Sequence, residues 1–210
     1  MPSVQGAAIA AIALKYNDCS ARGPTPEDVD RYAEFIIRPT DPVTTAARAY
    51  YLANPSLSTC ALTVLRCWGL AGVPDQEVVA AYYPNRIGKA FNDMETVGMR
   101  CGAWEAGPPR GLLLAGDVWI ITDAVGSDAH TGLCVEDQSA PDKLETVEGG
   151  QFDGKGSTAI GRFTRTLVKR PDGSVWMGQR KIFGVIRGAN MPVLSVGQID
   201  TTAYPAAFTG

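Results

Sequence analysis

The stretch GDVWIITDAVGSDAHTGLCVE, residues 116–136, decides how this chain is read. It holds two short runs rich in β-branched and aromatic residues, GDVWIITD (116–123) and HTGLCVE (130–136), separated by Gly, Ser and Asp. Runs of this kind bounded by turn formers predict β-strands. Four more follow: KLETVE (143–148), AIGRFTRTLV (159–168), SVWMG (174–178) and KIFGVIR (181–187). RPDGS (170–174) carries the Pro, Asp and Gly of a hairpin turn.

Upstream of about residue 104 the period is helical. PTPEDVDRYAEFII (24–37) has Thr and Pro at its start, acids in its first turn and a broad apolar stripe. VTTAARAYYLA (43–53), CALTVLRCWGLAG (60–72), PDQEVVAAYY (74–83) and IGKAFNDMETVGM (87–99) read as further helices, the second of them with glycines available to stop it. Helices followed by a run of strands predict an α+β fold in which N-terminal helices pack on a C-terminal antiparallel β-sheet. One domain over 1–210 is expected, divided into a helical extension (1–54), a core (55–187) and a tail of little periodicity (188–210).

A formal charge of -3, from 19 basic and 22 acidic residues, offers no electrostatic footprint for nucleic acid or an anionic membrane. The apolar run GAAIAAIAL (6–14) is too short to span a bilayer, which takes about 20 residues, and no basic segment precedes it as in a secretory signal. It reads as part of a first helix in a chain made in the cytoplasm. Five cysteines, no C-x-x-C pair and a single histidine argue against a zinc site and against a complete disulfide framework. Neither a metal nor another cofactor is expected.

That solitary histidine, His130, opens a predicted strand and titrates near neutral pH, which suits a general base or acid. Cys60 begins a predicted helix just after Ser58 and Thr59, both good capping types. A thiol in a first helical turn sees the positive end of the helix dipole, which favours the nucleophilic thiolate. Cys67 lies two turns further on, Cys134 is mid-strand, Cys101 has no clear cap, and Cys19 precedes ARGPTP, whose prolines exclude a buried helix. A nucleophile–base pair also needs a group to orient the imidazole. Glu148 on the next strand is the best placed, with Gln151 and Asp153 as alternatives if the chain bends at Gly149-Gly150. Trp68 and Trp119 fall in apolar patterns and read as core, whereas Trp104, in the Gly-rich loop CGAWEAGPPRG (101–111), is a candidate substrate contact.

Taken in order, STCALTVLRCWGLAGV (58–73), LLLAGDVWIITD (112–123), AHTGLCVE (129–136) and LETVEGG (144–150) resemble the NlpC/CHAP-type papain-like cysteine hydrolases, amidases and peptidases that cut peptidoglycan peptides. The resemblance covers about residues 55 to 187 and implies a papain-like fold. It implies that Cys60 attacks an amide carbonyl and forms a thioester, with His130 shuttling the proton and Glu148 as third member. The backbone N–H of Cys60 is then a natural oxyanion donor, and Asn54 a side-chain candidate for the same role. A peptidoglycan stem peptide or crosslink is the implied substrate. Delivery to a target periplasm or cell wall as an antibacterial effector or phage lysin is the implied setting, with an immunity protein as partner in the first case. The alternatives are a deamidase, acyltransferase or transglutaminase-like toxin acting on a protein, or a non-catalytic module that keeps the fold.

Overall fold

The computed structural model describes residues 4–20, 25–36, 59–74, 90–123, 129–151 and 159–192. Among them are four α-helices: α1 (Val4–Lys15), α2 (Pro26–Ile36), α3 (Cys60–Leu70) and α4 (Ala90–Arg100). The strands are β1 (Cys19–Ser20), β2 (Trp104–Ala106), β3 (Val118–Thr122), β4 (Ala129–Cys134), β5 (Lys143–Gln151), β6 (Ala159–Lys169), β7 (Val175–Met177) and β8 (Arg180–Ile186). A 3₁₀ turn spans Gly188–Asn190. The helix expected over 43–53 lies outside the described residues, as does that over 74–83 except for Pro74.

The helix ends follow local chemistry. At α2 the Thr25 hydroxyl accepts the Asp28 N–H at 3.2 Å and donates to the Asp28 carboxylate at 2.7 Å, while Pro26 supplies the first helical φ. At the end of α3, Gly72 takes a φ of 87°, the Val73 N–H reaches the Trp68 carbonyl at 3.0 Å and the Gly72 N–H reaches Gly69 at 3.1 Å. That paired arrangement satisfies the last carbonyls and stops the helix.

The strands close on themselves. Each neighbour in the order β3-β4-β5-β6-β7-β8 pairs antiparallel, and β8 returns to pair with β3. The result is a six-stranded barrel. Two extra strands, β1 on β6 and β2 on β8, lengthen its wall at the end away from β7. This corrects the papain-like α+β expectation of helices laid on an open sheet. Closure hangs on β7, three residues long, which bridges β6 and β8. Hydrophobic period gives the faces of a strand but not its partners, so the ring is not visible in it.

Two bulges supply the extra twist that closure requires, one in the β3–β8 ladder at Ile120/Ile121 and one in the β5–β6 ladder between Glu148 and Gln151. The second falls at Gly149-Gly150, where Gly150 has a φ of 68°, a conformation glycine adopts without steric cost.

Alternation along the strands builds two cores. Outward residues Val118, Ile120, Leu133 and Val147 pack with Ile9 of α1, Phe35 of α2 and Val64, Leu65 and Trp68 of α3. Inward residues Trp119, Ile121, Leu144, Ile182 and Val185 fill the barrel together with Leu113. Trp68 and Trp119 are each fully buried, one in each core. Replacing either by Ala should cost about 3–5 kcal/mol.

Asp117, at the entry to β3, is a structural anchor. Its buried carboxylate accepts the Leu114 N–H at 3.0 Å, the Gly188 N–H at 2.9 Å and Arg187 Nη1 at 2.8 Å. Arg187 reaches Glu105 as well, at 2.8 Å. No helix among the described residues is long and apolar enough to cross a membrane.

Candidate active site

Cys60 is the first residue of α3 and 4% exposed. The start of this helix is held by backbone rather than by a side-chain cap: Thr59 makes no capping hydrogen bond, and its carbonyl accepts both the N–H and the hydroxyl of Thr63 at 2.8 Å each. Strand β5 reaches this helix start because residue 149 is glycine. A Cβ there would lie 1.9 Å from Thr63 Oγ1 and 2.7 Å from the Thr59 carbonyl oxygen.

His130 is the second residue of β4 and pairs with Ile121 of β3. Its ring stands edge-on to Trp119 at a centroid distance of 5.6 Å. Its Nε2 meets Glu148 Oε2 at 2.8 Å. The imidazole also hydrogen-bonds the Cys60 side chain.

Glu148 is fully buried, and the donors around it orient it. Thr146 donates its hydroxyl at 2.6 Å, Arg165 Nε donates at 2.7 Å to the same oxygen, and Arg165 Nη2 donates to the oxygen that meets His130. Room for the carboxylate comes from Gly132, where a Cβ would lie 2.5 Å from the Trp119 ring and 2.7 Å from Glu148 Cγ. Trp119, His130 and Glu148 thus interlock around a missing side chain.

Protonation follows from these contacts. Burial alone would push the His130 pKa down, but hydrogen bonds to Cys60 and Glu148, with the charges they carry, lift it to about 9. Burial pushes Glu148 up, yet His130 and Arg165 together hold it below the usual carboxylate range. At neutral pH the site holds an imidazolium against a carboxylate. The other thiols have no such setting. Burial pushes Cys19 up to about 12, and it donates to the Tyr16 carbonyl at 3.1 Å. Cys67 and Cys134, wholly buried, are raised too.

Of the residues singled out in the sequence, Cys60, His130 and Glu148 are brought together. Gln151 ends β5, its backbone paired with Ala159, and its side chain lies outside the described residues, as do Asn54 and Asp153. Trp104 sits on β2 with its ring across Gly184 and 5.8 Å from the Phe183 ring, and is not among the residues lining the cleft at His130. Sequence reasoning missed Thr146 and Arg165. The available signal for Arg165 was a cation between Phe163 and Leu167 on one face of a strand whose inward positions are otherwise apolar.

A cleft of about 590 Å³ opens beside His130 and Arg165 at the barrel mouth, with Ile121, Met177, Gln179 and Arg180 in its walls. No group of three His, Cys, Asp or Glu among the described residues could hold a metal ion. Compared with known proteins, the chain matches no family model and no curated sequence.

Proposed function

We propose that this protein is a cysteine amidase or endopeptidase working through a thioester. The single observation that carries the reading is one imidazole bonded on one side to a thiol at a helix start and on the other to a buried, arginine-clamped carboxylate. Such a relay supplies nucleophile, proton carrier and orienting group in one geometry.

In the proposed cycle the Cys60 sulfur, paired with the His130 imidazolium, adds to an amide carbonyl. The carbonyl π electrons move to oxygen, where first-turn N–H groups of α3 are suited to stabilise the oxyanion. As the tetrahedral adduct collapses, the C–N bond breaks and His130 gives its proton to the departing amine, leaving the acyl group on sulfur. Neutral His130 then takes a proton from water, whose oxygen attacks the thioester. Collapse releases the carboxylic acid and restores the thiolate–imidazolium pair. Glu148 never touches substrate. It acts through His130 by fixing the ring and stabilising its positive form.

Peptidoglycan stem peptides or crosslinks are the proposed substrates, and an effector or lysin role the proposed setting, on the strength of the ordered motifs that resemble NlpC/CHAP hydrolases. An immunity protein covering the cleft is the proposed partner in a producing cell. Acyl transfer to a protein amine, or deamidation, is the second reading. It is favoured by the 4% exposure of Cys60, because a shielded thioester excludes competing water.

Mass analysis of sacculus digests treated with the wild-type protein tests the reading and identifies the bond cut. Cys60→Ala should abolish cleavage, a loss of at least about 10³-fold, while keeping the wild-type thermal midpoint to within a few degrees. Equal product from wild type and Cys60→Ala would remove the foundation of the proposal.

A further inference from the structure

The outer wall of the barrel where β7, β8 and β3 run side by side carries a groove of about 420 Å³, within the roughly 300–1,000 Å³ of small-ligand sites. Strand register assembles it. Trp176 of β7 pairs with Lys181 of β8, and Lys181 pairs with Thr122 of β3. The next residues Met177 and Ile182, and Ile121 before Thr122, belong to the barrel core, so by alternation Trp176, Lys181 and Thr122 stand on the outer face. Phe183 joins them through the bulge: Ile121 lies opposite Ile182 and Ile120 opposite Gly184, which leaves Phe183 as the extra residue. A bulge re-aims the side chain it carries, and Phe183 stays 44% exposed.

The Trp176 indole is held at its edge and over one face. Its Nε1 donates to the Ser174 hydroxyl at 2.8 Å, that hydroxyl donates to Asp172 Oδ1 at 2.6 Å, and the Ser174 N–H meets the same oxygen at 2.9 Å. The Arg170 guanidinium carbon stands 3.6 Å from the ring centroid. The hairpin turn over 170–174, closed by the Arg170 N–H on the Ser174 carbonyl at 2.9 Å, therefore fixes an aromatic wall before any ligand arrives. Such preorganisation lowers the ordering cost of binding. Asp123, Asp172 and Lys181 add carboxylates and an ammonium to the same groove.

Aromatic rings and charged groups of both signs in one groove restrict what it takes. A phosphate or a free carboxylate would meet two carboxylates, and a simple cation would meet Lys181 with Arg170 close by. An uncharged ring with an apolar face and hydroxyls around its rim suits both halves of the lining. Its C–H groups pack on the aromatic rings, while its hydroxyls donate to carboxylates and accept from the ammonium. We infer that this groove is a saccharide site, which takes a pyranose unit of a glycan chain packed against Trp176 and Phe183 with its hydroxyls bonded by Asp172, Lys181 and Thr122. The groove shares no lining residue with the cleft beside His130, so the inference stands apart from the amidase reading.

Calorimetric titration of the full chain with an N-acetylglucosamine tetramer and with a glucose tetramer tests the site without turnover. Saturable binding with a Kd of about 1 mM or tighter is expected for at least one of them. Trp176→Ala and, separately, Phe183→Ser should each weaken that binding by roughly three- to tenfold. Phe183→Ser alters a side chain that is already exposed, so it reads the groove even where loss of the indole loosens the hairpin. Leu112→Ser, at an exposed apolar residue outside the groove, should bind as wild type does. Tighter binding of the N-acetylglucosamine tetramer supports a cell-wall glycan as the source of the pyranose, and tighter binding of the glucose tetramer supports a polysaccharide without acetamido groups. No saturable binding of either tetramer up to about 10 mM overturns the site. Binding that is the same in wild type, Trp176→Ala and Phe183→Ser, or that falls equally in Leu112→Ser, overturns it as well.

Discussion

Two buried carboxylates in this barrel each face an arginine, and only one of them also hydrogen-bonds an imidazole. Asp117 and Arg187 meet at 2.8 Å where β3 begins, and the other partners of Asp117 are the backbone N–H groups of Leu114 and Gly188. Glu148 and Arg165 meet on the inward face of β5 and β6, and Glu148 spends one further interaction on His130. The first pair ties the strand entry to the end of β8. The second is a two-pronged clamp in which one carboxylate oxygen also meets an imidazole, and through it Cys60. A carboxylate–arginine pair is thus architecture until something titratable is attached to it.

The comparison breaks most sharply at Glu148. Glu148→Gln keeps the shape but removes the charge that favours imidazolium, and kcat/KM for amide cleavage should fall by roughly 10³-fold or more. Its pH behaviour gives a second readout. His130 is raised above its ordinary value, so its stabilising contribution is complete below the ordinary histidine range and is lost as pH rises through about 9. Glu148 is lowered, so its contribution is present above the ordinary carboxylate range and is lost on acidification. Chemical denaturation across pH should therefore show wild type and Glu148→Gln converging in acid, with the alkaline edge of the variant moved to lower pH. Unchanged edges would mean that the carboxylate does not set the histidine.

At the other pair the sign of the outcome reverses. Asp117→Asn should cost about 3 kcal/mol by leaving Arg187 partly uncompensated, lowering the thermal midpoint by roughly 6–12 °C. Activity per folded molecule should stay within about twofold of wild type. A large loss of turnover with no loss of stability would show that the two clamps have been assigned to the wrong tasks.

The smallest effect belongs to Arg165→Met, which removes the clamp but leaves the His130–Glu148 contact in place. A decrease of roughly tenfold in kcat is expected, with the Glu148 carboxyl moving back toward the ordinary range because one of the groups holding it down is gone. Activity equal to wild type would reduce Arg165 to a bystander.

How far the sequence could be read depended on the range of the interaction involved. The capped start of α2 and the glycine stop of α3 depend on neighbours within a few residues, and both were legible. So were the strands that carry His130 and Glu148, since alternation is local. The bend at Gly149-Gly150 was visible as a glycine pair, although its use, bringing β5 against the start of α3, was not. Arg165 lies 17 residues from Glu148 and Arg187 lies 70 from Asp117. Nothing in the spacing declares such pairings. Asp117, inside the motif LLLAGDVWIITD, serves as an anchor through contacts that its neighbours in sequence do not announce. Closure of the barrel was hidden for the same reason, because β7 is shorter than the window in which a period can be counted.

That short strand has an evolutionary consequence. The groups proposed for chemistry stand on α3, β4, β5 and β6, whereas Gln179 and Arg180 hang from the turn that β7 feeds. The proposed chemistry and part of the cleft wall are therefore carried by different staves of one ring. A few substitutions between Val175 and Arg180 can retune what enters the cleft while leaving the thiol, imidazole and carboxylate where they are.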